Sequence, residues 1–304
     1  MLTPIEALNH RLFLGTVPAM ATPLRADGRV DTTAVQALVD WLIDQEVAGI
    51  FAGGTTGEGI LLPLGQRQQL HQAAVAAAEG RVPVLVHAGA NNTSDTLTLA
   101  QHAAAIGAAG IVVITPTFYA LPDDALAAYF QTVADAIPDV PLFLYDIPHM
   151  AVNGISPRLL ALLADTIPNL AGVKCSRPDA QHVRQLIDAA PDLAVYAGNE
   201  RIALGLLALG ANGLISGLAT AMPEPFVALT AALQAGNWLA AQTIQRQINR
   251  LLDAIPAAQR IGAVKAILHS RGLPVGQPLP PRPPCLDTNL WAQLKNIWQN
   301  NPDG

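Results

Sequence analysis

The chain of 304 residues has little charge, little cysteine and little lysine. Charged residues make up 13% of the sequence, about half the roughly 25% that is usual in globular proteins, while 51% of the residues are hydrophobic. This composition excludes intrinsic disorder, which requires low hydrophobicity and high net charge. The net charge of −6 counts against nucleic acid as a partner, because such a surface would be basic.

Only two cysteines are present, Cys175 and Cys285, which is too few to frame a disulfide-stabilised secreted domain. The N-terminal segment MLTPIEALNHRLFLG lacks an apolar run of signal-peptide length, so we expect a cytoplasmic protein. The run 202–222 has no charge and is long enough to span a bilayer, but Asn212 and two glycines interrupt it. We therefore expect a buried helix, a turn and a buried strand there, and no membrane partner.

Eight short aliphatic runs recur along the chain, and longer helical patterns lie between them. The runs begin at Gly15, Gly49, Pro83, Gly110, Pro141, Leu170, Leu193 and Gly213. They are uninterrupted rather than alternating, which is typical of parallel strands buried on both faces. Eight strand–helix units predict an α/β fold, the (β/α)8 TIM barrel. A doubly wound sheet is the alternative, but no GxGxxG follows the first strand.

The pattern changes after Pro223, from alternating strands and helices to helices alone. We predict a barrel with the active site over residues 1–225 and a C-terminal helical extension over 226–304. The proline-rich segment 273–284 predicts an ordered surface strap, because it suits neither a helix nor a central strand.

In such barrels the active site lies at the carboxyl-terminal ends of the strands. Polar side chains at the predicted strand ends are therefore candidates. They are Thr55, Thr56, Glu58, His87, Tyr145, Asp146, Lys174, Asn199, Glu200 and Ser216. The seven histidines show no metal-ligand spacing, so no metal site is predicted.

Lys174 carries the strongest indication of chemistry, because it is one of only three lysines and ends a buried strand. Burial disfavours the charged ammonium form. A neutral amine on a fixed strand can attack a carbonyl and form a Schiff base. The alternative from position alone is a structural ion pair with Glu58 or Asp146.

The loop after the second strand reads Gly-Gly-Thr-Thr-Gly-Glu-Gly over residues 53–59. Its backbone N–H groups and the hydroxyls of Thr55 and Thr56 suit a carboxylate, whereas Glu58 would repel a phosphate. A tight turn without a ligand is the alternative. Tyr145 ends a hydrophobic strand, so it is either an acid/base group or a core tyrosine bonded to a carbonyl.

These segments together resemble the family of dihydrodipicolinate synthases and N-acetylneuraminate lyases, the pyruvate-dependent class I aldolases. The resemblance covers essentially the whole chain and depends most on GTTGE, YDIP and GVK in this order and spacing. It implies a lyase that forms a lysine Schiff base, with no metal or organic cofactor. It also implies a homotetramer built as a pair of dimers.

The resemblance implies roles for individual residues. Lys174 would form the imine with pyruvate or a keto acid, Tyr145 would move protons, and Thr55 would hydrogen-bond Tyr145 as a third catalytic residue. The implied or suggested substrate contacts are Thr55, Thr56, Gly54, Ile215, Glu200, His149 and Ser176.

Two departures from the synthases bear on the substrate. The synthases bind a substrate carboxylate with an arginine where this chain has Met150, and methionine cannot make that contact. They also place two tyrosines where this chain has Thr117 and Phe118, which breaks a proton relay across the dimer unless neighbouring Tyr119 replaces it.

The neuraminate lyases usually carry Ser-Thr where this chain has Thr55-Thr56, and Gly-x-Asp-Glu where it has Gly198 to Arg201. The chain is most similar to the 2-keto-3-deoxy sugar-acid aldolase branch. It has two adjacent threonines, it lacks the arginine of the synthases, and it retains Glu200 as a hydrogen-bond acceptor. We therefore expect cleavage or formation of a 2-keto-3-deoxy acid from pyruvate and an aldehyde, both small molecules.

Three alternatives stay open. The first is dihydrodipicolinate synthase itself, which joins pyruvate to aspartate semialdehyde. The second is a dehydratase or hydratase-aldolase that acts through the same imine. The third is a non-catalytic keto-acid-binding homologue, against which the retention of both Lys174 and Tyr145 counts.

Overall fold

The eight aliphatic runs form eight parallel strands in a computed structural model that describes residues 2–300. The strands are β1 (Gly15–Pro18), β2 (Ile50–Ala52), β3 (Val84–His87), β4 (Gly110–Ile114), β5 (Leu142–Asp146), β6 (Leu170–Cys175), β7 (Ala194–Ala197) and β8 (Gly213–Ser216). Every strand residue is buried, as expected for parallel strands covered on both faces.

The strands follow the order β1-β8-β7-β6-β5-β4-β3-β2, each hydrogen-bonded to the next. A parallel bridge between Ala19 and Phe51 joins the two remaining edges. The Met20 N–H donates to the Phe51 carbonyl at 2.8 Å, and the Ala48 N–H donates to that of Thr16 at 2.9 Å. The sheet is thereby a nearly closed barrel, and the predicted (β/α)8 TIM fold is confirmed.

Helices connect successive strands on the outside of the barrel. They are α2 (Thr32–Asp44), α3 (Leu64–Ala78), α4 (Thr93–Ala105), α5 (Asp123–Asp135), α6 (Pro148–Ala151), α7 (Pro157–Thr166), α8 (Ala180–Ala189) and α9 (Ala203–Ala208). A further helix, α1 (Pro4–Leu12), precedes β1 and was not predicted; Thr3 and Glu6 form a capping box at its start.

Beyond the barrel, the chain forms α10 (Glu224–Gln234), α11 (Trp238–Asp253), α12 (Arg260–Ser270) and α13 (Leu290–Gln299). Arg271, at the end of α12, lies between two tryptophan rings, 4.8 Å from the centroid of Trp41 and 4.7 Å from that of Trp291. The extension therefore packs directly against α2, and its apolar residues join the same core as the barrel helices.

The core has two layers. The larger layer lies between the strands and the surrounding helices. The smaller layer fills the barrel interior and includes Phe51, Phe143, Tyr145, Tyr196 and Ile215. Residues alternate between the layers along the strands, except in β6, where Ala171 lies in the interior layer and Val173 in the outer one. The strand ends can therefore present one side chain inward and the next outward.

The uncharged run 202–222 forms α9, a turn and β8, as predicted. Among residues 2–300, no helix combines the length and the apolar character needed to cross a membrane.

Candidate active site

Lys174 and Tyr145 are direct neighbours across two strands. A register shift at Leu142 and Phe143 leaves Tyr145 paired with Lys174 and Asp146 paired with Cys175. Tyr145 belongs to the interior layer, whereas Cys175 belongs to the outer one. The two strands therefore deliver an amine and a phenol side by side to the barrel mouth.

The Lys174 side chain is enclosed, with 5% of its surface exposed. Its Nζ lies 4.2 Å from the ring centroid of Tyr145 and 4.8 Å from that of Phe51. Glu58 is paired with Lys265, and Asp146 with Arg177. The structural ion pair of Lys174 with either carboxylate is therefore wrong, and no salt bridge to Lys174 exists within residues 2–300.

The loop over residues 53–59 folds back on itself at the end of β2. Gly53 has a φ of +72°, and a Cβ on Gly59 would lie 1.8 Å from the Gly53 carbonyl oxygen, so this close approach requires glycine. The turn places the Thr55 hydroxyl 3.2 Å from the Tyr145 hydroxyl. The contact that the resemblance implied is present in the structure.

A buried ion pair supports this loop from behind. Lys265 Nζ of α12 lies 2.8 Å from Glu58 Oε1, and both side chains are almost completely buried. The Leu279 N–H in the proline-rich strap donates to Glu58 Oε2 at 2.6 Å, and Lys265 also donates to the Gln277 carbonyl at 3.0 Å. The C-terminal extension thus fixes Glu58, which directly follows Thr55, Thr56 and Gly57 in the loop.

Three further polar side chains, those of Arg67, His71 and His87, are buried beneath the loop. Arg67 Nη2 donates to the His87 carbonyl at 2.6 Å and lies 3.1 Å from His87 Nδ1. Because a guanidinium only donates, Nδ1 accepts and Nε2 carries the proton. Burial, with Arg67 nearby, holds the pKa of His87 well below its usual range and lowers that of His71 to about 3. Both imidazoles are therefore neutral.

Asp146 fixes the outer side of the same strand ends. It accepts from Arg177 Nε at 2.6 Å and Nη2 at 3.1 Å, and from the Ile155 N–H at 2.9 Å. Burial and the neighbouring Asp146 raise the pKa of the Cys175 thiol to about 12, so this cysteine stays protonated. The ion pair between Asp146 and Arg177 links β5 to the loop after β6.

A cavity of about 490 Å³ opens at the barrel mouth and brings most of the candidate residues together. Those lining it are Thr55, Thr56, Tyr145, His149, Lys174, Ser176, Glu200 and Ile215. Gly54 lines an adjoining cavity of about 320 Å³, which shares Thr55 and Met150 with the first. All nine residues named as catalytic or substrate-contacting on the basis of the resemblance thus lie around one mouth.

The cavity has an inner end, formed by Lys174, Tyr145, Thr55, Thr56 and Ile215, and an outer end, formed by His149, Ser176, Asn199, Glu200, Arg201 and Arg260. At the outer end, Glu200 Oε1 accepts from the Ser216 hydroxyl and the Leu218 N–H, each at 2.7 Å. Arg260 Nη1 of α12 donates to Glu200 Oε2 at 2.8 Å.

Sequence reasoning missed Arg260, Lys265 and Arg177. Arg260 and Lys265 come from α12, far from the strand ends, and only the tertiary packing brings them to the site. For Arg177 a signal existed, since it follows Lys174 by three residues and a buried Asp146 needs a cation.

The positions that carry two tyrosines in the synthases are at the surface of this chain. Thr117 donates to Asn91 Oδ1 at 3.0 Å. Phe118 has a φ of +78° and is 80% exposed, and Tyr119 is 72% exposed and packs edge-on against it. Within the part of the chain described, Tyr119 has no hydrogen bond to Thr55 or Tyr145.

The sequence profile of the Dihydrodipicolinate synthetase family matches residues 12–297. The chain belongs to this family. Among its relatives, the 4-hydroxy-tetrahydrodipicolinate synthase of Salinibacter ruber is 36% identical over 226 residues, which is 74% of each chain.

Two solved structures place the Dihydrodipicolinate synthetase family fold across nearly all of the chain. A catalytic lysine mutant of the Ruminococcus gnavus sialic acid aldolase superimposes with a TM-score of 0.90 at 27% identity, covering 95% of this chain and 96% of that one. The prophage protein YagE of E. coli K12, in complex with pyruvate, gives a TM-score of 0.86 at 31% identity, covering 94% and 97%. The protein is thus an aldolase or lyase of this family.

Proposed function

We propose that this protein is a class I aldolase that cleaves a 2-keto-3-deoxy acid to pyruvate and an aldehyde through an imine on Lys174. The observation that carries the proposal is the buried Lys174 amine, which lies against Tyr145 while both nearby carboxylates are paired with other cations. The sialic acid aldolase named above has a catalytic lysine, and YagE binds pyruvate, which supports both the residue and the product.

In the first step, the Lys174 amine attacks the C2 carbonyl of the keto acid, and the carbonyl oxygen leaves as water. Thr55, Thr56 and the backbone of Gly54 hold the carboxylate in the loop described above. Tyr145, hydrogen-bonded to Thr55, supplies and removes the protons that this exchange requires.

In the second step, Tyr145 takes the proton of the C4 hydroxyl, the C3–C4 bond breaks and the aldehyde leaves. The electron pair of that bond passes to the iminium nitrogen, which leaves an enamine of pyruvate on Lys174. Protonation at C3 and hydrolysis release pyruvate. The imine accepts the electrons itself, so the proposal requires no metal or organic cofactor.

Cleavage of a panel of 2-keto-3-deoxy acids, followed by pyruvate release, tests this function. We expect at least one panel member to yield pyruvate with the wild type and none to do so with Lys174→Ala. Strong condensation of pyruvate with aspartate semialdehyde, without cleavage of any panel member, would overturn the assignment.

The synthase reaction is the second candidate, because a relative at 36% identity bears that name. Met150 lines both cavities at the mouth, so the position that carries arginine in the synthases faces the substrate here without a charge. This observation favours the aldolase. A dehydratase acting through the same imine would give a product that retains all the carbons, which mass spectrometry of the reaction distinguishes.

Assembly as a homotetramer built from two dimers is part of the proposal. Phe118 and Tyr119 are exposed, as are Ile60 and Met150, which line the adjoining cavity together with Thr117, and a second copy would cover these apolar side chains. Light scattering is expected to give four times the chain mass, and a monomeric mass would contradict the assembly. A cytoplasmic location stays a prediction.

A further inference from the structure

The charges at the outer end of the cavity are unbalanced. Among the residues that line this end, Glu200 is the single acid, while Arg201 and Arg260 are basic. Arg201 is also paired with Asp253, in an exposed salt bridge of 2.6 Å that contributes little. The cavity is therefore better suited to a substrate with negative charge than to a neutral one.

Glu200 has little capacity left for substrate hydroxyls. A carboxylate offers about four acceptor positions. Ser216, Leu218 and Arg260 already occupy three of them, and the Glu200 side chain is 11% exposed. Glu200 acts here chiefly to hold Arg260 in place.

Arg260 has hydrogen-bond donors to spare. A guanidinium carries five N–H groups, and one of them is used on Glu200. The Nε atom of Arg260 is buried and has no hydrogen-bond partner within residues 2–300. The side chain is still 28% exposed and lines the cavity, so a ligand can reach it.

We propose that Arg260 is a specificity-determining residue, which binds an anionic group at the far end of the substrate. That group is a terminal carboxylate or a phosphate monoester on the aldehyde half, because both match the planar fork of a guanidinium. A neutral hydroxyl can accept one hydrogen bond from Arg260, but it provides neither the charge nor the second, parallel acceptor of a carboxylate or phosphate. This inference rests on the proposed aldolase function and narrows its substrates to acids charged at both ends.

Three aldehydes test the inference in the condensing direction. Glyceraldehyde and tartronate semialdehyde differ only in a terminal CH2OH against a carboxylate, and glyceraldehyde 3-phosphate supplies the phosphate. In each case C3 of the pyruvate enamine bonds to the aldehyde carbon, the aldehyde oxygen takes up a proton, and water releases the product from Lys174.

We expect the wild type to prefer one anionic aldehyde over glyceraldehyde by about tenfold or more in kcat/KM. The preferred aldehyde then shows whether Arg260 binds a carboxylate or a phosphate. Arg260→Gln is expected to remove this preference, by lowering kcat/KM on the anionic aldehydes far more than on glyceraldehyde, and Arg260→Lys retains part of it. Arg246→Gln, on the exposed face of α11, removes the same charge away from the cavity and is expected to keep the preference.

Equal use of glyceraldehyde and both anionic aldehydes by the wild type would overturn the inference, as would an equal loss on all three in Arg260→Gln. Borohydride trapping of pyruvate separates these failures from failure of the aldolase itself. An adduct on Lys174 without anion preference rejects Arg260 alone, whereas the absence of an adduct rejects the proposed function and this inference with it.

Discussion

The inner and outer ends of the cavity are built in opposite ways. At the inner end, Lys174, Tyr145 and Ile215 come from buried strands. At the outer end, His149 lies in an exposed short helix and Arg260 at the start of α12. The barrel strands fix the side chains of the inner end. The segments between strands and the C-terminal extension position those of the outer end.

This difference separates the reaction from its specificity. Imine chemistry needs an amine and a proton carrier in fixed geometry, which strand register supplies. The choice of aldehyde depends on side chains that can vary without disturbing the barrel. Helix α12 contributes to both ends of the cavity. Lys265 supports the loop over residues 53–59 at the inner end, and Arg260 lines the outer end.

The largest effect is expected from the inner end. Lys174→Ala removes the nucleophile and should lower kcat for keto-acid cleavage on the order of 10⁴-fold or more. Steady-state pyruvate release measures this. Lys295→Ala, on the exposed side of α13, is the matched control and should retain wild-type activity.

Tyr145→Phe should have the next largest effect, a loss of about 10²–10³-fold in kcat, because it removes the proton carrier and keeps the ring that packs on Lys174. Stopped-assay kinetics check the size, and trapping should still yield the Lys174 adduct, formed more slowly. Activity within threefold of the wild type would show that Tyr145 is only a core residue.

The pair Glu58 and Lys265 is expected to support the inner end alone. Glu58→Gln or Lys265→Met should each lower the free energy of unfolding by about 3–5 kcal/mol, because one buried charge is left unpaired. The double variant should recover most of that stability. Denaturant unfolding measures the three values, and the KM for pyruvate should rise in the single variants; additive losses in the double variant would contradict the coupling.

Acid should lower the free energy of unfolding through His71 and His87, which are buried beneath the loop at the inner end. Folding lowers the pKa of His71 from 6.5 to about 3, and that of His87 also falls, so the unfolded chain binds more protons below pH 6.5. Each histidine then contributes stability that is present above pH 6.5 and is lost as the pH falls, by about 1.4 kcal/mol per unit. Unfolding at pH 7 and pH 5 checks this, and His71→Asn should reduce the difference.

The smallest effect on the common chemistry is expected at the outer end. His149→Ala should leave pyruvate trapping unchanged and raise the KM for a keto-deoxy acid by a few-fold, because the residue is exposed and lines the outer end of the cavity. A large loss of pyruvate trapping in this variant would remove the distinction between the two ends.

The inner end could be predicted from the sequence because its residues end buried strands, where apolar periodicity and glycine turns determine position. The contact between Thr55 and Tyr145 was implied by the family resemblance instead, and the structure contains it. The partners of Glu58 and Glu200 could not be predicted, because Lys265 and Arg260 lie 207 and 60 residues further along the chain. Helix α1 and the burial of His71 were not predicted from the sequence.

Borohydride reduction in the presence of pyruvate tests the central claim most directly. The protein is incubated with pyruvate, reduced, digested and mapped by mass spectrometry. The account predicts one reduced pyruvate adduct, on Lys174, which is absent when borohydride is omitted. Folded protein with no adduct at any lysine would contradict it and would favour a keto-acid-binding protein without catalysis.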